Sequence, residues 1–234
     1  MKPWLAAVTV LIFSGALRVE GAPVSLADTR VEVIHPDLAM ALQDVKKTLS
    51  TPRTPLAFDN GATAKNCAEY SNLLPTSAPD ESVHNAEVRA EYLLCDAVRL
   101  ISSEPFQAVK RTLPTHATQA LFEQLDLRSF PSSLRNGTDD QKHTLKTLLA
   151  SAKVTMTDKA LQVETSEQFF SLHIVGVIRR SAAKGSTKTH QTEWIVWAGD
   201  EVKDGNYKSY RTLIVRPPSQ ASGGQYMGSM YPQQ

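Results

Sequence analysis

The chain has 234 residues, 41% hydrophobic and 21% charged, with 25 basic against 24 acidic side chains. That is enough apolar content for one core of about 150–200 residues plus appendages. A near-neutral balance without a basic stripe excludes the electrostatic footprint of a nucleic-acid or anionic-membrane binder.

Met1–Gly21 has the layout of a secretory signal peptide. Lys2 is followed by the uncharged apolar run Trp4–Phe13 and by small residues, and Arg18 and Glu20 end the apolar character. The run is too short to span a bilayer, and no later segment is long and apolar enough to do so. Cleavage fits after Ala16, Gly21 or Ala22, with Val19 and Gly21 a good small-residue pair for a mature start at Ala22; an uncleaved anchor is the alternative. The expected division is 1–21 signal peptide, 22–218 a single α+β domain, and 219–234 a disordered tail. Export implies an oxidising compartment, so Cys67 and Cys95 are expected to bridge rather than remain buried thiols.

Ala22–Ile34 allows a brief edge strand around Val31 and Val33. His35-Pro36-Asp37 then opens a helix whose Leu38, Ala41, Leu42, Val45 and Leu49 recur at helical spacing. The tripeptide matches the J-domain signature, but Glu32-Val33-Ile34 stands where a basic helix belongs, so it is read as a helix start alone. Pro52, Pro55 and Asp59-Asn60-Gly61 mark a loop, and Ala62–Leu74 a short helix carrying Cys67. The strongest helix runs from Ser82 to Ser103, with an apolar stripe through Val83, Ala90, Leu94, Val98 and Ile101 and with Asp80 or Ser82 as cap. Pro105–Arg111, Thr115–Leu125 and Gln141–Ala152 are further helical candidates, the last capped by Thr138-Asp139-Asp140. Asn136-Gly137-Thr138 is a glycosylation sequon.

Lys153–Glu167 reads as a small hairpin and Phe169–Arg180 as a principal strand. Its even positions Phe170, Leu172, Ile174, Gly176 and Ile178 are all non-polar, which predicts one core face; Phe169, His173 and Val175 lie on the other. Ser181–Gln191 is expected to be an exposed loop. Gln191–Pro217 reads as a long hairpin closed by Asp204-Gly205 in a type I′ turn. That register sets Glu201 opposite Lys208, Glu193 opposite Arg216, Trp194 opposite Val215, Val196 opposite Leu213, and Ala198, its weak pair, opposite Arg211. A shorter hairpin with a loose loop is the alternative. Ser219–Gln234 has no charge and no periodicity; it is expected to be disordered, or else a sticky tail docking through Tyr226, Met227, Met230 and Tyr231.

These elements predict an α+β fold: N-terminal helices packed on one face of a mainly antiparallel, four- to five-stranded meander sheet. No catalytic signature survives inspection. Asp200–Arg211 lacks calcium-loop ligands at its third and twelfth positions, Lys184-Gly185-Ser186-Thr187 lacks a phosphate-loop frame, and no two histidines have helical zinc-ligand spacing. No metal or cofactor is expected. The leading expectation is an exported, non-enzymatic protein that binds a protein or cell-envelope partner through the sheet's second face, around His173 and Trp197, with Trp194 in the core. The alternative is a small-ligand binder or hydrolase-type enzyme with a pocket between sheet and helices, using His173 with Glu193 or Tyr210.

Overall fold

The computed structural model describes residues 28–103, 105–109, 113, 115–184, 187–219 and 222–232; the expected signal peptide lies outside them. In chain order, β1 (Asp28–Val33) leads into α1 (Pro36–Gln43) and α2 (Val45–Ser50). A ribbon of β2 (Leu56–Ala57) and β3 (Thr63–Ala64) precedes α3 (Cys67–Leu73) and the long α4 (Val83–Ser102). Then come β4 (Gln107–Val109), α5 (Ala117–Gln124), β5 (Leu125–Asp126), two 3-10 turns (Leu127–Ser129 and Ser133–Gly137) and α6 (Leu145–Leu148). The remainder is β: β6 (Lys153–Met156), β7 (Ala160–Glu164), β8 (Gln168–Lys184), β9 (Thr187–Val202), β10 (Lys208–Arg216) and β11 (Tyr226–Tyr231).

Helix starts follow local chemistry. The His35 ring caps α1 by accepting the Asp37 N–H, with Pro36 in the first turn, where its missing donor costs nothing. Asp44 breaks the expected single helix in two and caps the second half through the Lys47 N–H. Cys67 and Cys95 form the expected bridge, Cα atoms 5.1 Å apart, tying α3 to α4. Closing a loop of this length contributes roughly 3–4 kcal/mol in the chain-entropy model.

The fold is α+β, but the sheet is larger than a meander. Among the described residues nine strands join one mixed sheet, ordered β4-β1-β8-β9-β10-β11-β5, with β7 carrying β6 along the first half of β8. β1 is interior rather than an edge: it pairs antiparallel with β8 and parallel with β4. The expected helix over Pro105–Arg111 is replaced by β4, because pairing to β1 outweighs a weak local preference. Gln141–Ala152 shrinks to the one turn of α6, capped by Thr144 instead of Thr138–Asp140. The expected loop Ser181–Gln191 is ladder, since β8 and β9 stay paired to Lys184↔Thr187. The segment read as a disordered tail supplies β11, antiparallel to β10.

The β9–β10 register is the expected one: Trp194↔Val215, Val196↔Leu213, Ala198↔Arg211 and Glu201↔Lys208. Its turn is not. Val202 N–H donates to the Tyr207 carbonyl across four loop residues, and neither Asp204 nor Gly205 has positive φ. A two-residue and a four-residue loop centred on the same bond leave the register unchanged, so the pairing survived the wrong turn type.

A β-bulge at Val175 reorganises the faces. Ile174 pairs with Val196 and Gly176 with Ile195, leaving Val175 extra. Period-2 alternation inverts there. Phe170, Leu172 and Ile174 share one face with Val177, not with Ile178, and pack with Trp194, Val196, Leu213, α5 and the 3-10 turns. Val175 and Ile178 turn to the opposite face with Ile195, under α1 and α4. Both faces are therefore covered, which corrects the expectation of helices on one face only. The bulge also anchors the helical layer: the Val175 carbonyl accepts the N–H of Ile34 and of His35, at 2.9 and 3.1 Å.

Candidate functional site

The four residues singled out from sequence do not converge. His173 and Trp197 are cross-strand partners, half-buried on the α1–α4 face. Trp197 Nε1 donates to the Leu93 carbonyl at 3.1 Å and its ring lies 4.8 Å from that of His35, so it holds helix to sheet. Burial, and then His35, push the His173 imidazole below its usual range. Glu193 is only 5% exposed and is occupied by Arg180, Arg216 and Gln191. Glu193 lies four residues along β9 from Trp197, the partner of His173, or about 13 Å at strand rise. Tyr210 is two strands from His173, and its hydroxyl donates to Glu201 instead. The second sheet face is covered rather than open.

Tyr210 instead belongs to a cleft between α4 and the β10–β11 end of the sheet, with a cavity of about 160 Å³. Its floor is a buried polar triad. Asp96, fully buried on α4, accepts the Tyr70 hydroxyl at 2.8 Å and Arg89 Nη2 at 2.6 Å. The guanidinium carbon of Arg89 sits 5.1 Å from the Tyr70 ring centre, a cation–π distance. Burial works against the Arg89 charge; Asp96 and Tyr70 outweigh it and hold the pKa above the usual value. Arg89 Nη1 is buried with no hydrogen-bond partner among the described residues, a cost the Asp96 pair and the Tyr70 ring offset.

The cleft walls are mixed: Leu74 and Val83 beside Asp80, Glu81 and Asn85 on the helical side, and Tyr207, Tyr210 and Tyr231 beside Asn206 and Ser209 on the strand side. Asp200 steadies this wall, taking the Tyr207 hydroxyl and, at 2.6 Å each, the backbone and side chain of Ser133. Burial raises all three wall phenols, Tyr210 to about 12 with help from Glu201, so they remain neutral donors. At the rim, Lys208 bonds Glu87 at 2.6 Å and Arg211 reaches Glu81 at 3.5 Å.

Of the residues singled out from sequence, Tyr210 lines this cleft, as do Met230 and Tyr231 of the expected tail; Arg89 and Asp96 were not among them. A signal existed: Arg89 and Asp96 lie seven residues apart on the apolar side of α4, where two charges make sense only as a pair. Among the described residues no group of three His, Cys, Asp or Glu could hold a metal, and no helix is long and apolar enough to cross a membrane. Compared with known proteins, the chain matches no family model, no curated sequence and no solved structure.

Proposed function

We propose that this chain is an exported, non-enzymatic binding protein acting on a protein or cell-envelope partner, and that the partner docks in the α4–β10 cleft. The observation that carries this is the lining: Tyr207, Tyr210, Tyr231 and Arg89 around a preformed hollow. Tyr and Arg are the residues enriched where binding energy concentrates, because they bring large contact area together with directed donors. The leader-like Met1–Gly21 and the Cys67–Cys95 bridge support export.

Val83 is exposed at the cleft mouth, so Val83→Arg fills the mouth without touching the core. Partner capture from the exported fraction should be lost with Val83→Arg while the unfolding midpoint stays put; unchanged capture refutes the cleft as the site. Sequencing the exported protein should find a new N-terminus at or near Ala22, and an intact Met1 would sink the export reading.

A second reading, a small-ligand pocket, has the cavity volume in its favour. About 160 Å³ is close to the ~150 Å³ of an engineered cavity that holds benzene. Stabilisation by phenol- or benzoate-sized compounds, abolished by Val83→Arg, would favour it.

A further inference from the structure

We infer that the cleft takes its partner as an extended peptide, added as a strand to an open stretch of the β10 edge; this rests on the cleft reading above. β11 pairs with β10 from Arg216↔Met227 to Thr212↔Tyr231 and stops. β10 continues for Lys208–Arg211, paired only with β9 among the described residues. This stretch lines the cleft.

The direction of its backbone groups follows from register. The Val202 N–H donates to the Tyr207 carbonyl, so 202 and 207 are a hydrogen-bonded pair. In an antiparallel ladder such pairs alternate with non-bonded ones. Ser209 and Arg211 therefore spend their N–H and C=O on β9, while Lys208 and Tyr210 aim theirs outward, along the line on which β11 takes those of Thr212 and Ile214. Consistently, the Ile214 carbonyl accepts the Ser229 hydroxyl of β11, and the outward-aimed Gly228 N–H goes to Ser129 instead.

An extended peptide is the ligand that matches two outward N–H and two outward C=O groups at strand spacing. Four residues span about 13 Å. Side chains on its helix-facing side enter the cleft beside Tyr210 and Tyr231, which selects apolar or aromatic residues there. Exposed edges are commonly guarded by charged side chains. Here Lys208 is drawn to Glu87 on the helical side, while Arg211 stays at the edge, donating to Ser209 Oγ and Met230 Sδ and reaching Glu81 at 3.5 Å, so an entering strand displaces that one guard. β4 and β6, by contrast, have mostly exposed side chains.

The test uses the full exported chain and a peptide selected on it from a displayed library of random heptapeptides. In the free chain, amide hydrogen exchange should be fast at Lys208 and Tyr210 and slow at Ser209 and Arg211; equal protection means the edge is already filled and overturns the inference. Peptide addition should slow exchange at Lys208 and Tyr210, and failure to find any peptide that does so also overturns it. Lys208→Pro removes one outward N–H, and Lys208→Ala removes the same side chain while keeping it. The Pro variant should bind the peptide about five-fold more weakly than the Ala variant, the size of one net hydrogen bond. If Val83→Arg abolishes binding while the two Lys208 variants bind alike, the cleft stands and strand addition falls. If none of the three changes binding, both fall.

Discussion

Arg89→Met tests the floor of the cleft. The substitution keeps the aliphatic stem and removes the charged head, and with it the cation–π contact to Tyr70. Asp96 is 0% exposed and Arg89 13% exposed at the side chain. Asp96 Oδ2 loses its 2.6 Å partner, while Oδ1 keeps the Tyr70 hydroxyl. Removing one member of a buried pair costs about 3–5 kcal/mol because the remaining charge is stranded, whereas a solvated pair is worth ~1 kcal/mol or less. The triple variant Arg89→Met, Asp96→Leu, Tyr70→Phe strands nothing, and its stability should return to within ~1.5 kcal/mol of the parent. Equilibrium urea unfolding near neutral pH, with transition slopes compared, measures both. A single variant losing under ~1 kcal/mol would mean the pair is solvated. A triple variant as damaged as the single one would mean the loss was packing. Either result refutes the buried floor.

Three further outcomes are expected. Thiol labelling of unfolded, unreduced protein should find no free cysteine, and Cys67→Ala/Cys95→Ala should lose roughly 3–4 kcal/mol; two labelled thiols per chain would contradict the bridge. Trp194 is 3% exposed against Tyr226, so Trp194→Ala should cost about 3–5 kcal/mol. Trp197→Ala, which loses one hydrogen bond to Leu93 and the His35 contact, should cost less, and the reverse order would invert the face assignment. All six tyrosines are held above the ordinary phenol value, mainly by burial, Tyr92 and Tyr210 to about 12. Raised phenol values mean that their stability contribution is whole below pH ~10 and is lost as pH rises through about 12. Phenolate absorbance should rise at higher pH in the folded than in the urea-unfolded chain; coincident curves would refute the burial.

The parts legible in sequence were those with redundant signals. Twenty residues of α4 repeat one apolar stripe, and the β9–β10 register is set by several apolar and charge pairs at once. The parts missed were decided by distant partners. β4 exists because β1 offers a ladder. β11 has almost no apolar periodicity, yet its composition has a reason: a Cβ on Gly228 would lie 2.8 Å from the Phe130 ring, so glycine is what lets that ring approach. The Val175 bulge is invisible to counting by twos, since nothing in Ile174-Val175-Gly176 except the glycine hints at it.

That one inserted residue decides which side chains of β8 meet the helical layer. Without the bulge, the face bearing His173 and Trp197 would continue into Val177 and Arg179. With it, Ile178 joins Val175 and Ile195 beneath α1 and α4, and His35, held by the Val175 carbonyl, closes over Trp197. A sheet covered on both faces offers a partner its edges and the seams between layers. The α4–β10 seam combines the two: β11 ends at Tyr231, four residues of β10 lie past its last rung, and Tyr210 and Tyr231 stand in the same cleft. If a partner docks there as proposed, backbone geometry and the phenolic wall both contribute, and the Lys208→Pro and Val83→Arg variants separate the two contributions.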